Sequence, residues 1–335
     1  MKTAFKPQSP LTLAVQAAGF IAFTLCAAGA AWAQAPQPWP DKPIKLVVPY
    51  PAGGTADNTA RLLATQLSSR LGQQVVVDNR PGASGTIGAS AVAKSTPDGY
   101  TLLLDATAFT VNPSLFAKLP FDAAMDFAPI SLVMHAPLML VVPATSPLNS
   151  VAEVIKAGRA KPARLTYASA GNGGAQHLAG ELFQQGSKTS LTHIPYRGGA
   201  PALTDLIGGQ VDMMFSAITS SGAFVKSGKL RALASTSSQR TEGWEQVPTV
   251  AESGLPGFQV NEWNGLFAPA GTPQPVLQRL ETETRAIVAS ADMKKRFTEM
   301  GVQGVGSSAQ DFSAFLNTET AKWAAVIRTS GISID

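Results

Sequence analysis

Side chains able to do chemistry are scarce in this 335-residue chain, which holds one cysteine and three histidines. His135, His177 and His193 stand far apart in the sequence and offer no metal-ligand set. No G-x-S-x-G, H-E-x-x-H or G-x-x-x-x-G-K-[ST] pattern occurs. The run Gly304-Val305-Gly306-Ser307-Ser308-Ala309 matches G-x-G-x-x-A, but no βαβ unit follows it, so a turn into a capped helix is expected there. No catalytic residue, metal or cofactor is therefore expected. What stands out is three glycine loops, PAGGTAD from Pro51, AGNGGAQH from Ala170 and RGG from Arg197. Each follows an apolar run and precedes a helical pattern. Loops of this kind present free backbone N–H groups at a helix N-terminus, where the dipole favours an anion.

Apart from Arg197 these loops hold no Lys or Arg, so main-chain amides and helix dipoles would carry recognition, which suits a carboxylate better than phosphate or sulfate. Gly54 is expected to need its missing Cβ for close backbone approach. Asp57 reads as a helix cap, since its charge would repel a carboxylate. His177 has two open roles, donating to a bound carboxylate or bracing its loop. Arg197 is either a clamp on a second carboxylate or a solvated surface charge.

The elements that would position these loops follow in order. Ile44–Val48 is a buried strand, and Leu62, Leu63, Leu67 and Leu71 give the helix from Thr59 an apolar face ending at Gly72. Residues 75–77 read as a second buried strand, 86–94 as a small-residue helix and 100–104 as a third strand. This βαβαβ order predicts a parallel sheet covered on both faces. After Thr107 and Asn112-Pro113 a loop region is expected, then two strands, 130–134 and 138–142. Ser150 with Glu153 forms a capping box. Strands at 165–169, 192–196, 211–215 and 230–236 alternate with helices, and 260–268 reads as a return crossing. The C-terminal part is helical. Thr272-Pro273 starts one helix, residues 292–300 form another, and a last helix from Ser308 carries Phe312, Phe315, Trp323 and Ile327 to the core.

Hydrophobic residues make up 45% and charged residues 14%, which marks a globular chain long enough for two domains. The net charge of +4, with no basic run interleaved with aromatics, argues against a nucleic-acid partner. Lys2 and Lys6, the apolar stretch 11–31 and Ala31-Trp32-Ala33 spell a cleavable secretory signal over residues 1–33. Cys26 lies within it, so the mature chain would hold no cysteine, and a periplasmic location is expected.

The ordered motifs VVPYPAGGTAD, VDNRPGASGTIGA, YASAGNGGAQHLAGELF, PYRGGAPALTDLIGGQVDMMF, VPTVAESGLPGF and LFAPAGTP, with the signal, resemble the Bug (TctC-type) family. These are extracytoplasmic solute receptors of tripartite tricarboxylate transporters. The resemblance implies an α/β, type II periplasmic-binding-protein fold with two α/β domains joined by two crossing strands. Residues 40–137 plus 260–335 would form domain 1 and 138–259 domain 2. It also implies a small carboxylate as ligand (a dicarboxylate, amino acid or aromatic acid), a membrane permease as partner and a monomeric receptor without enzyme activity. Carried over by position, the ligand-binding residues are Tyr50, Pro51, Ala52, Gly53, Gly54, Asp57 and Asn58 in the first loop, and Thr107 after the third strand. The second half supplies Ser169, Gly171, Asn172, Gly173, His177, Tyr196, Gly198, Ala200 and Ser216. Tyr50 replaces the family's more frequent Phe, and its hydroxyl is expected to reach into the cleft. An exported hydrolase or lyase using Ser169, His177 or Asp57 is the competing reading.

Overall fold

The computed structural model describes residues 39–332, so the expected signal and Cys26 lie outside the described residues. The chain divides into two units, Met1–Asp41 and Lys42–Asp335, and the second carries the architecture that follows.

Strand β1 (Ile44–Val48) is apolar and buried except at Lys45. It pairs in parallel with β2 (Val75–Asn79) on one side and β3 (Thr101–Asp105) on the other. Helix α1 (Thr55–Leu71) joins β1 to β2 and buries Ala56, Ala60, Leu63, Ala64 and Leu67, while Leu62 and Leu71 are half-buried. It starts four residues before Thr59 because extended Gly54 serves as N-cap, and left-handed Gly72 stops it. Strand β2 is not buried as expected. It lies at a sheet edge, and Val76 is 50% exposed. Helix α2 (Thr86–Ala93) leads to β3. Helix α3 (Ala108–Leu115), which the sequence did not mark, precedes the expected loop region, and in it burial of Phe109, Val111 and Leu115 outweighs the cost of Pro113.

The expected strand doublet is one 17-residue strand, β4 (Phe127–Pro143). Residues up to Pro137 pair antiparallel with β9 (Asn261–Pro269), which also pairs with β3. From Leu138 onward β4 pairs with β7 (Met213–Ala217) and β8 (Leu230–Ser235). Pro137 falls where the ladder changes partner, a position at which its missing N–H is tolerated. The Leu138 N–H goes to Thr236 Oγ1 at 2.9 Å. The parallel set β2-β1-β3 expected from the βαβαβ order forms, and it belongs to a larger mixed sheet in the order β2-β1-β3-β9-β4-β7-β5-β6, with β5 (Thr166–Ser169) parallel to both β6 (Thr192–Pro195) and β7.

Helices α4 (Val151–Ala160), α5 (Ala175–Ser187), α6 (Gly199–Ile207) and α7 (Ile218–Lys226) connect the strands of this second half. The Ser150 capping box forms: Ser150 Oγ accepts from Glu153 N, and Glu153 accepts from Asn149 N at 2.6 Å. The chain closes with α8 (Gln274–Ala289), α9 (Ala291–Met300), the short β10 (Gln303–Gly304) and α10 (Ala309–Ser330). Thr272 does not cap α8, because its hydroxyl donates to Pro269 O at 2.8 Å. Gly304 lies in β10 against β4, and Ser308 caps α10, so the G-x-G-x-x-A match is a turn into a helix.

Two aromatic cores flank the length of β4. Val47, Leu103, Phe109, Phe127, Trp263, Phe267 and Phe312 cluster in the first half. Tyr167, Leu178, Phe183, Phe215 and Phe258 cluster in the second, joined by Trp323 and Ile327 from the C-terminal part of α10. Helix α10 thus contributes to both cores, while Phe315 is only half-buried.

Candidate ligand-binding site

Two of the glycine loops share one geometry. In the first, Gly53 has φ +85 and its N–H donates to Asp57 Oδ2 at 2.9 Å. Gly54 is extended, and Asn58 N returns to Gly54 O at 3.0 Å. In the second, Gly173 has φ +76 and its N–H donates to His177 Nδ1 at 3.1 Å. Gly174 is extended, and Leu178 N returns to Gly174 O at 3.1 Å. Each loop is therefore fastened by a side chain four residues on, in the first turn of its helix. The conformational demand for glycine falls at Gly53 and not at Gly54, where an added Cβ would meet Pro51 O at an ordinary 3.7 Å.

The fasteners differ in chemistry. Asp57 is 2% exposed and also accepts from Asn79 Nδ2 at 2.9 Å and Arg61 Nε at 3.0 Å. Burial works against its charge, but the hydrogen bonds from Arg61, Gly53 and Asn79 outweigh that and hold the carboxyl below its ordinary value. Its role is to hold the loop from the first turn of α1, whose N-cap is Gly54 and not Asp57. His177 is buried, and burial pushes its pKa down to about 4, so the neutral ring is the acceptor. Bracing is thus the role the geometry gives His177, since Nδ1 faces Gly173 and Nε2 lies 3.8 Å from Glu181.

Distance along the sequence hid a histidine pair. His177 and His193 stack with centroids 3.9 Å apart and planes 9° apart, with Tyr167 stacked on His193 at 4.8 Å. Burial, and then the His177 neighbour, bring His193 down to about 3. Its Nε2 lies 2.6 Å from Ser169 Oγ, which also bonds the backbone of Gly171. Gln176 adds a further brace by accepting from Ala170 N at 2.7 Å. Among the described residues no cluster suited to a metal ion occurs.

The third loop supports the second. Tyr196 N and Gly198 N donate to Ser169 O and Ala170 O, and the Tyr196 hydroxyl is committed to Asp205 at 2.8 Å. Ala200 and Arg197 are exposed, as are Pro51, Ala52, Asn58 and Asn172, whereas Ser216 is fully buried at the end of β7. The two halves meet at Thr55 Oγ1 and Thr219 Oγ1, 3.1 Å apart, the opening residues of α1 and α7. Two cavities, about 750 and 820 Å³, lie away from these loops, one beside Phe116 and Leu316 and the other beside Ser237 and Lys294.

The Tyr50 hydroxyl does not extend freely into the cleft. It donates to Asp105 Oδ1 at 2.7 Å, at the end of β3. Asp105 is 2% exposed, and burial raises its pKa to about 7 against the bonds from Tyr50 and Ala106. Glu262 on β9, also raised to about 7 by burial, acts on Tyr50 through its charge. Two residues beyond Asp105, Thr107 Oγ1 is buried without a partner. Asp105, Glu262, His193, Gln176, Thr55 and Thr219 escaped the sequence reading. Only Asp105 left a local sign, an acid closing the apolar run Leu102–Leu104.

An open mixed sheet with anion-type loops at the carboxyl ends of its parallel strands defines an α/β solute-receptor fold. Residues 59–332 match the tripartite tricarboxylate transporter family receptor (TctC), and the chain belongs to that family. A UPF0065 protein encoded in the tcbD-tcbE intergenic region of Pseudomonas sp. (strain P51) is 40% identical over 290 residues, covering 86% of each chain. The structure of R. palustris Rpa4515 with adipate superposes with a TM-score of 0.83 at 36% identity, covering 88% of this chain and 100% of that one. The periplasmic binding protein BugD gives a TM-score of 0.80 at 36% identity, covering 88% of this chain and 99% of that one. The family's members are transporter receptors, and no helix among the described residues is long and apolar enough to cross a membrane.

Proposed function

We propose that this chain is a periplasmic receptor that captures a small carboxylate between its two fastened glycine loops and delivers it to the permease of a tripartite transporter. The observation that carries this reading is the matched pair of loops, one on each half of the sheet, linked through Thr55 and Thr219. In this reading residues 40–137 plus 260–335 form one lobe and 138–259 the other, and the monomer closes about β4 and the chain entering β9. The ligand carboxylate meets the amides of Ala52, Gly54 and Asn172, since those of Gly53, Gly171 and Gly173 are taken by Asp57, Ser169 and His177, with Tyr50, Pro51, Thr107, Gly198 and Ala200 around them. Asp57, His177, Ser169 and Tyr196 hold the loops from behind, and Ser216 lies at the end of β7. The adipate of the R. palustris relative supports a carboxylate ligand of this size.

Two observations weigh against the hydrolase reading: Ser169 is fully buried, and Asp57 is spent on three donors. The receptor reading predicts that one or more mono-, di- or aromatic carboxylates raise the Tm of ligand-stripped, refolded protein by mass action, and that the bound acid is recovered unchanged. A screen in which no acid moves the Tm would sink the reading, and turnover of the acid would revive the enzyme.

A further inference from the structure

We infer that His193 is a positioning residue of the ligand site: its Nε2–H donates to Ser169 Oγ, which sends the Ser169 proton to Gly171 O and turns the Asn172 N–H outward to the ligand. This rests on the carboxylate-receptor reading above and assigns the device that aims the second loop.

Protons and lone pairs at the fully buried Ser169 decide the assignment. Its Oγ lies 2.6 Å from His193 Nε2, 2.9 Å from Gly171 O and 3.2 Å from Gly171 N. A hydroxyl has one proton and two lone pairs. Gly171 O can only accept and Gly171 N can only donate, so the proton lies toward the first and one lone pair toward the second. The other lone pair faces His193 Nε2, which must then carry a proton. Were the ring to accept instead, two oxygens would face each other at 2.9 Å with no hydrogen between them, a costly contact away from water. The ring is neutral, since burial and the neighbouring His177 bring it to about 3, so the proton on Nε2 leaves Nδ1 bare. His177, stacked on it, holds the same tautomer for a separate reason: its Nδ1 accepts from Gly173 N, which leaves its proton on Nε2, toward Glu181.

The consequence falls at the ligand. The peptide joining Gly171 to Asn172 is trans and planar, so its N–H points opposite to its C=O. With Gly171 O drawn back to Ser169, the Asn172 N–H is directed away from the buried hydroxyl, on the exposed side of the loop. The amides of Gly171 and Gly173 on either side are taken by Ser169 and His177, so this N–H is the one the turn leaves to a carboxylate.

Nitrogen NMR at about pH 7 on ligand-stripped, histidine-labelled protein should show His193 as a neutral ring protonated at Nε2. Calorimetry then takes adipate, malate and benzoate as probes. His193→Met, which fills the place of the ring without a donor, should weaken the best-bound probe roughly tenfold. His193→Gln, whose side-chain amide can still donate to Ser169, should lose no more than about threefold. Ser169→Ala should cost as much as His193→Met, and the double variant no more than either. A residue that merely packed would give losses that add, and Gln would serve no better than Met. A His193 ring without a proton on Nε2, additive losses, or a His193→Met variant that binds as wild type does would overturn the inference while leaving the carboxylate reading intact. Should His193→Met fail to fold, the NMR signature and the Gln variant decide it. Silence from all three acids together with every other carboxylate screened would instead count against the receptor reading itself, with the NMR signature still deciding the proton on His193.

Discussion

The first and second glycine loops have the same backbone and opposite support. Both place a left-handed glycine before an extended glycine N-cap, and both return the left-handed N–H to the side chain four residues later. The first loop is held by a buried, ionised carboxylate bound to Arg61 and Asn79. The second is held by a neutral imidazole inside an aromatic stack with His193 and Tyr167, over the buried Ser169. What the geometry requires is therefore an acceptor at that position and not a particular residue. A charge held by hydrogen-bond donors provides it on one side, and packing provides it on the other.

The difference predicts that the second loop is the more easily broken by volume. Gly180 of α5 faces the Tyr167 ring, and an added Cβ would stand 2.2 Å from it. Tyr167 is fully buried and tied to Glu181 at 2.6 Å, so it has nowhere to move. Gly180→Ala should cost about 3 kcal/mol through overpacking, despite the better helix propensity of Ala. That corresponds to a fall of roughly 6–12 °C in Tm, which scanning calorimetry would measure. In the first loop, Gly53→Ala meets no atom within 4 Å and bears only the left-handed φ. Its cost should be about 1 kcal/mol. Equal losses in the two variants would mean that the aromatic stack does not carry the second loop.

A smaller effect sharpens the acceptor argument. Asp57→Ala removes the acceptor of Gly53 and strands Asn79 and Arg61, so it should cost about 1–3 kcal/mol and weaken carboxylate binding roughly tenfold. His177→Gln, which keeps a neutral acceptor, should cost less than His177→Asp, whose new charge faces Glu181 nearby. If His177→Asp proves the milder of the two, the second loop tolerates charge as the first does, and the contrast between them fails.

Much of this organisation was legible in the chain. The apolar runs located β1 to β9 and missed only the two-residue β10, and the repeated strand-glycine-helix pattern marked both loops, because these signals are local. What escaped was set by long-range pairing. Pro137 reads as a break between strands, yet β4 passes through it because the proline falls where the partner changes. Asn112-Pro113 gave no sign of a helix, and the burial of Phe109 and Val111 is what makes one there. His177 and His193 look unrelated at sixteen positions' remove, and only the parallel pairing of β5 with β6 brings His193 beside Tyr167 and Ser169. Tyr50 gave no hint of Asp105, since the two meet only because β1 and β3 are neighbours.

The halves should also respond oppositely to acid, and this is the smallest effect because the contributions compete. His177 and His193 have folded values of about 4 and about 3 against an ordinary 6.5. Below about pH 6.5 the unfolded chain binds protons that the folded chain refuses, so this pair removes stability as pH falls toward 4. Asp105 and Glu262 are raised to about 7 from 3.8 and 4.5. Below pH 7 the folded chain takes protons that the unfolded chain does not, so they add stability over much the same interval. Ligand-free protein should thus keep a nearly level Tm between about pH 6.5 and 5.5. Removing one group should tilt the balance by about 1 kcal/mol over that unit, or roughly 2–4 °C. His177→Gln should gain stability on acidification and Asp105→Asn should lose it. Parallel slopes in the two variants would show that the halves are not electrostatically opposed and that the first-half acids have already found a counter-charge.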